Sequence, residues 1–406
     1  MKLSENPFCI LGVSIRDSKQ VIDEKADDRC FDEPEREEIF EKAKGILLNP
    51  QQRLQAELGW FPDVQPQEEQ RLLAAATKQQ AVFMASVNKL AAMNQKLIGL
   101  LGKPRLANEI VFLDTAYREM DMAQLLAWVN KSRSVSGFPA VQGVEPIEAV
   151  WHEVRNNIRE QLQEAVDNMA ASQYTQTALE VAQAVLRKKG KYGGIIQDFM
   201  DGYRLSVEQQ LEDLKKHTMQ LLDQVLANPS RSNVQAACEA MDKGGRLARP
   251  LAVMSVAEGK NDFCYIGPVY NKLFDDVCMN LFKQKDEYGV VIILFEKLLS
   301  ITGDIPDAVK NLNETLQVVR ETKAEYDAAS AKAQQAANKP ARPANPRSRM
   351  SHSEDSSRDV PASSSSDDSG CGGCLLLLLL PAIGGAIAGP IGAAAGFILA
   401  IKLADN

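Results

Sequence analysis

Ala43-Lys44-Gly45-Ile46-Leu47-Leu48-Asn49-Pro50-Gln51-Gln52-Arg53 closes one amphipathic helix and opens another. Ile39, Phe40, Ala43, Ile46 and Leu47 recur at helical spacing, which predicts a buried face. Asn49-Pro50 ends that helix, because a proline pushes the residue before it out of the α region. Arg53, Leu54, Glu57 and Leu58 start a further turn, and Trp60-Phe61-Pro62 closes the unit. Upstream, Leu11-Gly12-Val13-Ser14 ends an apolar turn on a glycine, the residue that tolerates a left-handed stop. Asp17 or Ser18 is then placed to cap the next helix through a side-chain oxygen, with Val21 and Ile22 on its buried face. Three short helices are the expectation for this stretch.

Asn6-Pro7-Phe8-Cys9-Ile10-Leu11-Gly12-Val13-Ser14, the helix Asp17–Phe31 and the Asn49-Pro50-Gln51-Gln52-Arg53 step follow one another in a particular order. That order resembles the J-domain (DnaJ-like) family over about the first sixty residues. The resemblance implies a three-helix head that engages a heat-shock ATPase chaperone through a basic second helix and a His-Pro-Asp tripeptide. The tripeptide belongs between Phe31 and Glu37, where this chain has Asp32-Glu33-Pro34-Glu35-Arg36. The second helix departs too. Lys19, Lys25 and Arg29, the cations through which the resemblance implies partner docking, face five acidic residues: Asp17, Asp23, Glu24, Asp27 and Asp28. Like charges brought face to face slow encounter and cost affinity. The expectation is a scaffold kept without its activity.

The chain has 406 residues, 45% hydrophobic and 25% charged, enough for two or three domains with a sizeable core. Its net charge of −8 argues against a nucleic-acid partner, which needs a basic face for phosphates. Arg187-Lys188-Lys189 with Lys191 is short and reads as a solvated helix end. Met1-Lys2-Leu3-Ser4-Glu5-Asn6-Pro7 runs straight into folded pattern without a signal peptide, so the expectation is a reducing cytoplasm.

From Gln67 to about Ala336 the pattern is helical and no strand-rich region competes. Leu72-Leu73, Ala76, Gln80, Phe83, Val87, Leu90 and Leu97 predict one helix, and Leu106 through Trp128 a second. Ser132–Glu145, with two glycines, a proline and several serines, predicts the clearest internal loop. Helices are expected at Pro146–Ala170, Gln173–Lys189, Ile195–Leu226 and Asn233–Met241, then a break at Arg249-Pro250. Tyr288–Leu299 and Pro306–Tyr326 form a helical hairpin that runs on toward Ala337. Without a sustained repeat, an irregular helical bundle is favoured over an α-solenoid. The fold class is all-α.

No catalytic, cofactor-binding or metal-ligating constellation is assigned. His152 and His217 lie far apart, and His352 falls in a polar linker. Lys243-Gly244-Gly245-Arg246 lacks the spacing of a phosphate-binding loop and reads as a helix-ending turn. Neighbouring carboxylates such as Asp275-Asp276 point apart on a helix. Cys371-Gly372-Gly373-Cys374 lacks the second cysteine pair that a structural zinc site needs. Beside an apolar tail, S-acylation of Cys371 and Cys374 is one reading and no special role is the other.

Residues 337–373 are rich in Ser, Pro, Asp and Arg and too poor in apolar surface to offset ordering entropy, so they are expected to be disordered. The glycine-rich segment 374–404 is expected in a membrane. Six leucines lead to Pro381, and no charge follows until Lys402, longer than the roughly 20 apolar residues that cross a bilayer. Pro390 leaves a single span and a re-entrant hairpin both open. Gly384, Ala388, Gly392 and Gly396 form one row of small residues, with Gly385, Gly389 and Ala393 in a second. Such rows let helices approach closely in lipid, so self-association through the tail stands beside a plain anchor. Only a few residues follow the span, so the amino-terminal bulk is expected on the cytoplasmic side, as in a tail-anchored protein.

The expected organisation is a J-like head over 1–64, a helical domain over 65–336 with a sub-boundary near 132–145, the linker and the tail. The functional expectation is a membrane-tethered, non-enzymatic adaptor with protein and lipid partners. A divergent co-chaperone for the heat-shock ATPase is the second reading, and a membrane-active glycine-zipper protein the third.

Overall fold

The computed structural model describes residues 2–78, 87–98, 100, 105–260, 263–278, 280–281, 287–303 and 305–337. All regular structure among the described residues is helical. The linker and tail expectations, with Cys371, Cys374, His352 and the small-residue rows from Gly384 to Gly396, lie outside the described residues. Among the described residues no helix is long and apolar enough to cross a membrane.

Two compact units divide the chain. The first takes Met1–Glu212 and Arg246–Cys264; the second takes Asp213–Gly245 and the described residues from Tyr265 on.

The first unit opens with α1 (Pro7–Leu11), α2 (Lys19–Asp32), α3 (Glu37–Leu48) and α4 (Pro50–Leu58). Sequence chemistry sets each boundary. Gly12 stops α1 at φ 68°, Ser18 caps α2 through Val21 N–H, and Asn49 caps α4 through Gln51 and Gln52 N–H. Asn6 is wholly buried; its side-chain amide donates to Ala56 O (2.9 Å) and Gly59 O (3.2 Å), closing α1 against the end of α4. Trp60 stacks on Phe8 with ring centroids 5.8 Å apart. Of the residues expected on the buried faces of α2 and α3, Val21 and Ile39 are instead exposed. Ile22 and Ala26 supply the face of α2, and Phe40, Ala43 and Leu47 that of α3.

The core these helices build does not stop at residue 64. Val64 belongs to it, together with Leu72, Ala76, Ala91, Ile98 and Phe138. The helix expected from Leu72 to Leu97 is two: α5 (Pro66–Thr77) and α6 (Lys89–Leu97), the latter capped by Asn88 through Ala91 N–H; Gln80 and Phe83 lie outside the described residues. The second segment is likewise two, α7 (Leu106–Arg118) and α8 (Met122–Ser136), the latter capped by Asp121.

The loop expected over Ser132–Glu145 is shorter, because α8 continues through Ser136 and stops at Gly137 with φ 74°. Ser132 and Ser136 donate their hydroxyls to Trp128 O and Ser132 O one turn back, which keeps serines inside a helix. Then come α9 (Glu145–Asp167), α10 (Ala171–Arg187) and the long α11 (Gly194–Ala227) and α12 (Arg231–Ala257). Buried Asp114 accepts from Gly193 N–H (2.8 Å) and Ile196 N–H (3.2 Å), capping α11 from α7.

The Arg249-Pro250 break does not occur, since α12 runs through Pro250. An interior proline costs about 3 kcal/mol. Leu251, Val253 and Met254 are buried around it, and each such side chain returns about 1.5–3 kcal/mol.

In the second unit, α13 (Ile266–Lys272) continues into a π-helical turn, Leu273–Cys278, followed by α14 (Tyr288–Ile301) and α15 (Pro306–Ala337). Val291, Leu294, Phe295, Leu298, Leu312, Leu316 and Val319 are among the buried residues of the α14–α15 pair. Gly244 and Gly245 do not end a helix as expected; they sit within α12 and admit close packing. A Cβ at Gly244 would meet the Tyr265 ring at 2.1 Å, and one at Gly245 would meet Ile301 at 2.7 Å. Tyr265 cannot retreat, because its hydroxyl donates to Ala240 O (3.1 Å) and shares a 2.8 Å bond with Thr218 Oγ1.

Gly244→Ala is therefore expected to destabilise the second unit by about 1–3 kcal/mol or more. Gly45→Ala, at an exposed helical site with open space around it, is expected to add about 0.5–1 kcal/mol. Urea unfolding of the two variants followed by circular dichroism should move in opposite directions.

Candidate docking face

Helices α2 and α3 run antiparallel as a hairpin joined by a single 3-10 turn, Pro34–Arg36. Only Ile22 and Ala26 of α2 are buried, so most of that helix faces solvent. Its three cations are all engaged. Lys19 Nζ stands 5.3 Å over the Phe138 ring, Lys25 pairs with Asp28 at 3.2 Å, and Arg29 pairs with Glu33 at 3.3 Å. Glu33 is also held by Arg36 at 2.6 Å, which pins the turn where the tripeptide was expected.

On α3, Lys44 bridges to Glu41 (2.9 Å), Asp27 (3.2 Å) and Asp23 (3.3 Å). Hydrogen bonding to Glu41, reinforced by Asp27 and Asp23, holds its ammonium above the ordinary lysine range. One cation thus ties the acidic face of α2 onto α3.

The result is an acidic surface. Residues 17–41 hold eleven acidic side chains against four basic ones. Asp23, Asp27 and Asp28 are each well over half exposed. At the tip of α2, Phe31 is 88% exposed, with Ile39 of α3 half exposed. A phenylalanine left this open contributes nothing to the core and keeps its apolar area available for a contact.

Beneath the hairpin lies a buried charge cluster. Arg53 and Glu57 are fully buried, and Arg133 is 3% exposed. Glu57 accepts from Arg53 Nε at 2.8 Å on one oxygen and from Arg133 Nε at 2.9 Å on the other. The remaining guanidinium donors reach Ile15 O (2.8 Å) from Arg53, and Pro50 O (2.7 Å) and Pro139 O (3.1 Å) from Arg133. Arg53 also lies 3.9 Å from the Phe138 ring centroid. Burial pushes the Arg53 guanidinium below the ordinary arginine range, against the opposing pull of Glu57.

Of the residues singled out in sequence, Lys19, Lys25 and Arg29 all fall on α2, but each faces a different neighbour and they form no shared basic patch. Arg133, Phe31 and Ile39 were not singled out as site residues. Arg133 lay inside the stretch read as a loop, and Phe31 falls off the Ile22–Ala26 stripe only once the buried side of α2 is known. Among the described residues no group of three His, Cys, Asp or Glu side chains comes together as a metal site. No protein-family model, no curated protein and no solved structure matches this chain.

Removing the Glu57 charge would leave two buried guanidinium groups without an anion. Glu57→Gln is expected to cost about 3–5 kcal/mol, the usual price of breaking a buried pair. Lys25→Gln, which removes an exposed pair, should cost under about 1 kcal/mol. Chemical denaturation of both variants beside the parent chain checks the contrast.

Proposed function

We propose that this chain is a membrane-tethered, non-enzymatic adaptor whose J-like head offers an acidic, phenylalanine-tipped hairpin to a basic protein partner. The observation that carries the reading is the α2–α3 hairpin, with its acidic face and the open ring of Phe31. The J-like scaffold reading is supported by the order of a short helix stopped at Gly12, an antiparallel pair, and a proline step. From that step Arg53 reaches back to Ile15 O. The loss of chaperone stimulation is supported by the turn at Glu33–Arg36, which holds no histidine, and by the engagement of Lys19, Lys25 and Arg29 within the chain.

Charge complementarity then favours a partner with a basic docking surface. Exposed carboxylates speed encounter with such a surface and make binding sensitive to salt. Burying Phe31 would add about 1.5–3 kcal/mol, or roughly ten- to a hundredfold in affinity. The tether reading rests on the charge-free run from Leu375 to Ile401.

Cross-linked capture with the intact chain should recover a partner. Recovery should drop at least about tenfold in Phe31→Ser and in the double change Asp27→Lys with Asp28→Lys, and should weaken at high salt. In single-turnover assays the intact chain should leave ATP hydrolysis by a heat-shock ATPase unchanged. Stimulation that is lost on reversing Lys19, Lys25 and Arg29 would overturn the adaptor reading in favour of a co-chaperone. Capture insensitive to both hairpin variants would also overturn it.

A further inference from the structure

In the second unit a groove of about 740 Å³ lies between the start of α12 and the outer face of α14. Pro229, Val234, Cys238, Val290 and Ile293 give it an apolar lining, and charged side chains, Lys297 among them, line it too. Ile293 is about half exposed, more open than Val290, Ile292 and Leu299 of the same helix, which are half-buried, and than its remaining large apolar side chains, which are buried. The volume falls in the range that holds a small ligand or a few side chains, roughly 300–1,000 Å³. It is too small for a whole membrane-length helix.

We infer that the occupant of this groove is the chain's own leucine run, Leu375–Leu380, which docks there when no bilayer is available to it. Three observations favour that segment over an outside partner. First, the run is the most apolar stretch of the chain and carries no charge, so leaving it in water is costly at about 25 cal/mol per Å².

Second, the described chain passes close to one end of the groove before it leaves the described residues. The Tyr326 ring of α15 lies 5.8 Å from that of Tyr288, so α15 passes the end of α14 that lines the groove. Ala337 is then about 16 Å further on at helical rise. Third, residues 338–374 intervene, and a Ser- and Pro-rich stretch of that length has a reach on the order of 30 Å, enough to return. Tethering at that length supplies an effective concentration on the order of millimolar, which an untethered partner rarely matches. The inference needs only the apolar character of the run, and does not rest on the adaptor reading of the head.

Cys238, half-buried in the groove, is a native reporter. Maleimide labelling of the full chain in lipid-free buffer, resolved by peptide mass spectrometry, gives its rate. In Leu376→Asp with Leu379→Asp, changes confined to the run, Cys238 is expected to react about tenfold faster or more, while Cys30 keeps its rate. In an Ile293→Glu background the tail changes should have no further effect, since the groove is already spoiled. Equal Cys238 rates in the parent and the tail variant would overturn the inference. Protection that grows with protein concentration would also overturn it, because it would assign the groove to a second copy. Vesicles play no part in the readout, so failure of membrane tethering would be a separate result.

Discussion

Glu57 suspended between Arg53 and Arg133 is the constraint around which the first unit is assembled. All three groups lie out of water, where an unpaired charge costs several kcal/mol. One carboxylate cannot neutralise two guanidinium groups, so the excess is met by backbone carbonyls of Ile15, Pro50 and Pro139 and by the face of Phe138. These partners come from the loop before α2, the start of α4 and the loop after α8. The cluster satisfies its donors only when those segments and α8 itself are in place together. Attraction between the charges adds little net stability after desolvation. Its effect is selective: any arrangement of the head that separates Glu57 from Arg133 leaves a buried charge alone.

A second buried carboxylate repeats the device. Glu69 of α5 accepts from Ser14 Oγ (2.7 Å), Ile15 N–H (2.8 Å) and Arg16 Nη1 (3.0 Å), and Trp60 Nε1 points to it at 3.4 Å. Ile15 is thus held on both its polar groups, the N–H by Glu69 and the carbonyl by Arg53. With the inner side of the head fixed so closely, α2 needs only Ile22 and Ala26 to keep its seat. The outer side of the hairpin is left free of any packing duty.

Much of this was legible in the residues. Gly12, Ser18, Asn49-Pro50 and the apolar spacing of α3 act within a few positions of themselves, so their consequences could be read locally. The misreadings share a cause: each concerned a residue whose conformation is decided by something distant in sequence. Ser132 and Ser136 looked like loop chemistry, yet the helix continues there and carries Arg133 to Glu57, 76 residues away. Gly244 and Gly245 looked like a turn because glycine is the usual stop, but they make room for Tyr265 and Ile301. Pro250 looked like a break, and the burial that keeps it helical depends on neighbours that periodicity does not name. The acidic character of α2 was visible from composition. The exposure of Phe31 was not, since it follows from which side of α2 the core happens to take.

The distribution of charge separates what the fold requires from what it merely tolerates. Residues 17–41 carry a net −7 while the whole chain carries −8, so the rest of the protein is nearly balanced. Some of those carboxylates have structural work: Asp23, Asp27 and Glu41 hold Lys44, Glu33 pins the turn, and Glu37 and Glu38 suit the first turn of α3. None of the eleven is buried, and crowding like charges onto one hairpin costs stability that a mixed surface would not. Solubility alone would be served as well by acidic residues spread over the whole surface. Concentrating them beside an open aromatic ring builds a local field with an apolar anchor in it, the pairing on which the proposed docking of a basic partner rests.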